Sequence, residues 1–140
     1  MKKLIMMSLA VMGFLAAPVI ASDQTPSADG SEVYFISPKD GDVIKGPVTI
    51  RFGLKGMGIA PAGIEKSATG HHHLIIDAEL PPLDENIPMD EHHKHFGGGQ
   101  TEVTMELSPG THTLQLLLGD MNHIPHDPAV YSEKITVTVK

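Results

Sequence analysis

An all-β sandwich is what this sequence predicts, on three observations. Short runs rich in Val, Ile, Leu and Thr recur along the chain, each bounded by Gly, Pro or Asp. One of them alternates Val48, Ile50, Phe52 and Leu54 against Thr49, Arg51 and Gly53, the period-2 pattern of a half-buried strand. No window carries a 3.6-residue apolar period. About seven short antiparallel strands separated by turn signals make an immunoglobulin-like sandwich the expected architecture.

The elements follow in chain order. Met1-Lys2-Lys3, the apolar stretch Leu4 to Ile20, and small-residue positions at Val19 and Ala21 read as a secretory signal peptide over residues 1–21, cleaved after Ala21. The periplasm or the exterior is then the expected compartment, with no membrane insertion once the leader is removed. Ser22 to Gly30 is polar and turn-rich and reads as a flexible leader, so a single domain is expected over residues 31–140. Within it, Glu32–Ile36 is the first strand and Val48–Leu54 the second, with the turn cluster Ser37-Pro-Lys-Asp-Gly-Asp42 between them. His72–Asp77, Thr101–Leu107, Thr113–Gly119 and Tyr131–Val139 complete the set. Two connections are long, Gly56–Gly70 and Glu79–Gly99, and long loops in compact domains usually carry function or are disordered.

Composition narrows the function. The 140 residues hold 10 Lys+Arg against 17 Asp+Glu, a formal net charge of −7, and the removal of Lys2 and Lys3 makes the exported chain more acidic still. Such a chain does not hold a nucleic-acid backbone by counterion release. With no cysteine there are no disulfides, thiolate zinc sites or iron–sulfur clusters. No His-Glu-x-x-His or Gly-x-Ser-x-Gly motif is present, and no catalytic residue is assigned. Nine histidines are the excess that remains.

They fall in clusters: His71-His72-His73, then His92-His93 and His95, then His112, then His123 and His126. In an immunoglobulin-like topology the connections carrying the first, second and last clusters emerge at one end, which places eight histidines at one pole and His112 at the other. Side chains alternate along a strand, so His71, His73 and Asp77 share what reads as the solvent face with Ile75. His71 and His73 then lie about 6–7 Å apart, close enough to chelate one ion. His72 points inward, as a hydrogen-bonded core histidine. Imidazole without thiolate or a carboxylate cage suits copper or zinc. The expected ligands are His71, His73, His95, His123 and His126, with Asp77, Asp120, Asp127 and His72 as outer acceptors. Because imidazole ligates only when neutral, affinity should fall below about pH 6. Gly97-Gly98-Gly99 reads as a bulge or tight turn, or as a hinge letting His95 fold over the pole.

Four stretches carry a resemblance: Gly70-His-His-His-Leu-Ile-Ile-Asp77, His95-Phe-Gly-Gly-Gly-Gln-Thr-Glu102, Pro109-Gly-Thr-His-Thr-Leu-Gln-Leu-Leu-Leu-Gly-Asp120 and His123-Ile-Pro-His126. Together they resemble a widespread bacterial family of secreted domains of unknown function. That resemblance implies a secreted β-sandwich domain and no established activity; His92 and His93 lie outside its motifs. The segment Ser37-Pro-Lys-Asp-Gly-Asp-Val43 with Pro47-Val-Thr-Ile-Arg-Phe52 looks similar to periplasmic copper-resistance proteins of the CopC type. Those place a histidine first in the mature chain, whereas Ser22 would be first here. The function expected is a periplasmic or secreted protein that binds a transition metal, copper or zinc, at the histidine cluster on one pole, buffering the ion or delivering it to a periplasmic protein partner. The alternative is a structural module that binds a partner or ligand without metal.

Overall fold

A computed structural model describes residues 24–140; the predicted signal peptide lies outside the described residues. The architecture is an all-β sandwich of two packed sheets. Among the described residues no helix is long and apolar enough to cross a membrane.

The first sheet has three strands, β1 (Glu32–Ser37), β3 (Val48–Lys55) and β7 (Glu102–Met105), in the order β1-β3-β7, all antiparallel. The second is built on β9 (Ile135–Val139), β8 (Gly110–Gly119) and β5 (Thr69–Ile76), with β2 (Val43–Ile44) on the far side of β9. The outer edge of β5 is shared. Its first residues pair with β4 (Gly58–Ile59), and further along it pairs with β6 (His93–His95). Where about seven antiparallel strands were expected, the described residues form nine, and two pairings, β2 with β9 and β4 with β5, are parallel.

The core forms where the period-2 faces meet. Val33, Phe35, Val48, Ile50 and Phe52 from the first sheet pack against Leu74, Ile76, Leu114, Leu116, Leu118, Val137 and Val139 from the second. Tyr131, expected within the last strand, instead makes an isolated bridge to Leu117 before β9 begins.

Strand β5 departs from the expectation of one solvent face. All eight of its residues are buried. His72, Leu74 and Ile76 face the sandwich interior, while Ile75 packs with Leu117 and Ile87 in a second apolar cluster beneath the loop that follows β5. That loop lies over the sheet and makes a buried face of what the alternation alone reads as an exposed one. The run Leu74-Ile75-Ile76 is the sequence trace of this: consecutive apolar residues mark a strand covered on both sides.

The polar leader is also held. Gln24 Nε2 donates to Leu83 O and Pro125 O, and Asp127 N donates to Thr25 O. Residues expected to be flexible thus run beside the 120–128 segment, with Pro26 bridging Asp127 in parallel.

Candidate metal centre

Four histidines converge from three parts of the chain. His71 and His73 project from the same face of β5, two residues apart. Strand β6 runs antiparallel to β5 in a register that sets His95 opposite His73. Strand β8 pairs His71 with Gly119 and then turns: Asp120 N donates to Ile124 O and His123 N donates to Asp120 O, which folds His123 back over the strand ends. One ring nitrogen from each of His71, His73, His95 and His123 lies within 4.8 Å of the others. The Nε2 atoms of His71 and His95 are 3.2 Å apart. Two nitrogens sharing a tetrahedral zinc at ~2.0–2.1 Å stand about 3.3 Å apart, so that pair already has ligand spacing. Ring centroids are separated by 4.7 Å for His71–His73, 4.6 Å for His95–His123 and 6.2 Å for His73–His123.

Glycines make the room these rings occupy. A Cβ on Gly97 would collide with the His95 ring, and one on Gly119 would sit 2.6 Å from His73 Cε1 and 3.2 Å from Ile87 Cδ1. A Cβ on Gly70 would sit 2.8 Å from His126 Cε1. Of the three consecutive glycines, Gly97 has its place because the ring lies against it. Gly99, with φ +83°, adopts a conformation that favours glycine. Gly99 N donates to Phe96 O, so the segment is the tight turn expected of it, and the register of β6 on β5 places His95.

His123 sits at φ 64°, a left-handed conformation rarely adopted by a residue with a side chain. The Asp120 carboxylate compensates. Its Oδ1 accepts from Asn122 N and Ile124 N at 2.8 and 3.0 Å. Neighbouring loops clamp the same turn: Ile87 N donates to His123 O and Gly63 N to Met121 O, while Ala62 N reaches Gly97 O.

Burial keeps the imidazoles uncharged. His71 is lowered from 6.5 to about 4, first by burial and then by repulsion from His95 and His123, with Asp120 partly opposing. Burial, followed by repulsion from His71, His95 and His123, takes His73 to about 2. His95 is lowered by burial and by His123. At neutral pH these rings offer lone pairs. His71 Nδ1, both nitrogens of His73 and His123 Nδ1 are buried without a hydrogen-bond partner. An unpaired buried polar group costs about 1–3 kcal/mol, so the cluster is an expensive arrangement when it holds nothing.

The other expected site residues lie elsewhere. His126 is fully buried behind Gly70 and donates from Nε2 to Thr69 O, outside the four-histidine group. His72 faces the core with its ring 5.1 Å from Phe52, and neither nitrogen has the hydrogen bond expected of it. Asp127 is exposed and pairs through its backbone with residues 25 and 27. His92 donates to Ile76 O and His93 to Asp90, on the part of β6 that leads away from the cluster. The expected pole of eight histidines therefore resolves into four that meet and four that serve the fold around them. Asp120 alone of the expected outer acceptors is close, and it acts through the turn carrying His123.

His112 lies with Asp77 at the far end of β5. Its Nδ1 donates to Asp77 Oδ2 at 2.6 Å and its Nε2 to Ser108 O at 2.7 Å. These two acceptors raise its pKa, Asp77 foremost. Burial works against the Asp77 carboxylate, but the bonds from His112 and Thr113 N hold it below its usual range. Ser108 Oγ stands 3.4 Å from His112 Nε2, which superficially resembles a nucleophile, base and acid. The resemblance fails because Nε2 is committed as a donor to the carbonyl and cannot accept the hydroxyl proton.

The seats that Gly97 and Gly119 provide were not assigned from sequence. Glycine two residues after His95 and immediately before Asp120 was the available signal. Residues 50–140 match the model of a domain of unknown function, DUF4399. No curated protein and no solved structure matches. The chain belongs to the DUF4399 family.

Proposed function

We propose that this family member is an exported protein that binds a transition-metal ion, copper or zinc, through His71, His73, His95 and His123. The observation that carries the reading is the convergence of four imidazoles, two of them fully buried and with unpartnered nitrogens. A bound transition-metal ion accounts for so many imidazole nitrogens aimed at one point. All-nitrogen donors favour copper or zinc over calcium or magnesium. Four protein ligands fill a tetrahedral set, which suits holding or transferring an ion rather than activating a water at a vacant position. The leader-like residues 1–21 support export, and transfer to a periplasmic protein is the partner relation such a site suits.

Titration with Cu(II) and Zn(II) tests this. Stoichiometric sub-micromolar binding by the wild type, lost in His71→Ala/His73→Ala, is the expected result. Tight binding that survives both substitutions would sink the ligand assignment. A metal-free histidine network is the second reading, favoured by the hydrogen-bond distance between His71 and His95. It predicts a melting temperature that neither added metal nor chelator moves.

A further inference from the structure

We propose that residues 24–27 form a strap that holds His123 in ligating position, with Thr25 and Asp120 as positioning residues of the metal centre. The inference rests on the metal-binding reading above and concerns its regulation.

The two oxygens of the Asp120 carboxylate have separate duties. Oδ1 holds the turn, accepting from Asn122 N and Ile124 N on either side of His123. Oδ2 accepts from Thr25 Oγ1 at 2.7 Å, across 95 residues of sequence. Asp120 is buried, 1% exposed. The Thr25 hydroxyl therefore fixes the rotation of the carboxyl group that shapes the turn. It is needed because His123 at φ 64° would relax if that frame loosened.

The strap is anchored at each residue. Gln24 bonds Leu83 O and Pro125 O, Thr25 O accepts from Asp127 N, Pro26 bridges Asp127, and Ser27 N donates to Asp127 O. These contacts fall on the loop after β5, at Leu83, and on the segment after β8, none on the sandwich core. Together with Ile64–Ser67, Asp120 and Met121 the strap also lines a cleft of about 310 Å³. It is thus bound to the turn and borders open space into which it can lift. With the strap seated, His123 completes a four-imidazole centre. With it lifted, three ligands on β5 and β6 remain, and the ion becomes exchangeable.

The test compares Thr25→Val, which keeps the shape and removes the hydroxyl, with Thr25→Ser, which restores it. Cu(II) affinity and the Cu(II) visible and electron-spin spectra are read for each, alone and combined with His123→Ala. Thr25→Val should weaken binding about tenfold, in line with losses of outer partners at metal sites, and shift the spectrum toward that of His123→Ala. Thr25→Ser should recover both. In the His123→Ala background Thr25→Val should add nothing. Without metal, Thr25→Val should speed hydrogen exchange at the Asn122 and Ile124 amides. Unchanged affinity in Thr25→Val, or an equal loss with and without His123, would overturn the strap while leaving the metal site standing. Failure of the wild type to bind, or binding indifferent to His71 and His73, would overturn both.

Discussion

His72 and its two neighbours show how much chemistry turns on single positions. One strand carries three consecutive histidines, and alternation sends His71 and His73 to the candidate centre and His72 into the core beside Phe52. His72 is buried and unpartnered, and burial lowers it from 6.5 to about 4. Replacing it with leucine should therefore raise unfolding stability by roughly 1 kcal/mol, the unpaired polar cost removed. Copper and zinc affinity should be unchanged. Chemical denaturation and metal titration on the same variant check both halves. Gly97→Ala should do the reverse. Its added methyl displaces the His95 ring from a partly exposed loop, so metal affinity should drop by about 10–100-fold while the denaturation midpoint of the metal-free protein barely moves.

At the scale of elements, long strands with a strict two-residue alternation were legible in the sequence, and short ones were not. β3 and β8 announce themselves through Ile50, Phe52, Leu114 and Leu116. β2, β4 and β6 are two or three residues long, and no periodicity can be read from so few. That is why the meeting of His95 with His73 was expected only as loops sharing a pole, whereas a strand register enforces it. The membership of His71, His73, His95 and His123 was legible because cluster spacing and topology pointed the same way. His126 was not separable from them, because its diversion depends on a backbone carbonyl, Thr69 O, with no residue-type signature. The loop covering β5 was read as long and irregular, and its Ile87 gave no hint of plugging a second core. Ile87→Ala should cost about 2–4 kcal/mol of stability by opening a cavity against Ile75 and Leu117. It should also quicken metal dissociation, since Ile87 borders the Gly119 seat of His73. Stopped-flow transfer of the ion to a chelator measures that rate.

Across the whole molecule the two ends of β5 respond to acid in opposite senses. His71, His72 and His73 have folded pKa values depressed below the unfolded 6.5, so the unfolded chain takes up protons first as pH falls. Their contribution is present above pH 6.5 and is lost as pH falls, down to about pH 4 for His71 and His72 and lower still for His73. For His71 alone the displacement from 6.5 to about 4 corresponds to about 3 kcal/mol. His112 is raised by Asp77, so its contribution is present below pH 6.5 and is lost as pH climbs through its elevated value. Urea midpoints of the metal-free protein should therefore fall steeply between pH 6.5 and 4. A His112→Gln variant should lose stability at pH 6 and keep a larger share of it at pH 8 relative to the wild type. The same depression extends metal binding: His71 and His73 stay neutral well below the pH 6 limit expected of free imidazole. Competition with protons at His71 and His73 should set in below pH 6, and Zn(II) titrations at stepped pH locate it.

The glycine seats carry one last consequence, for how such a centre changes over generations. A histidine at position 95 has nowhere to lie unless position 97 lacks a side chain, and the same dependence ties His73 to Gly119. Each ring and its seat form an inherited pair rather than two independent letters. Among relatives of this chain, the two members of a pair should then vanish together. A lineage that retains the histidine while gaining a bulky residue in its seat would mark a different way of building the pole.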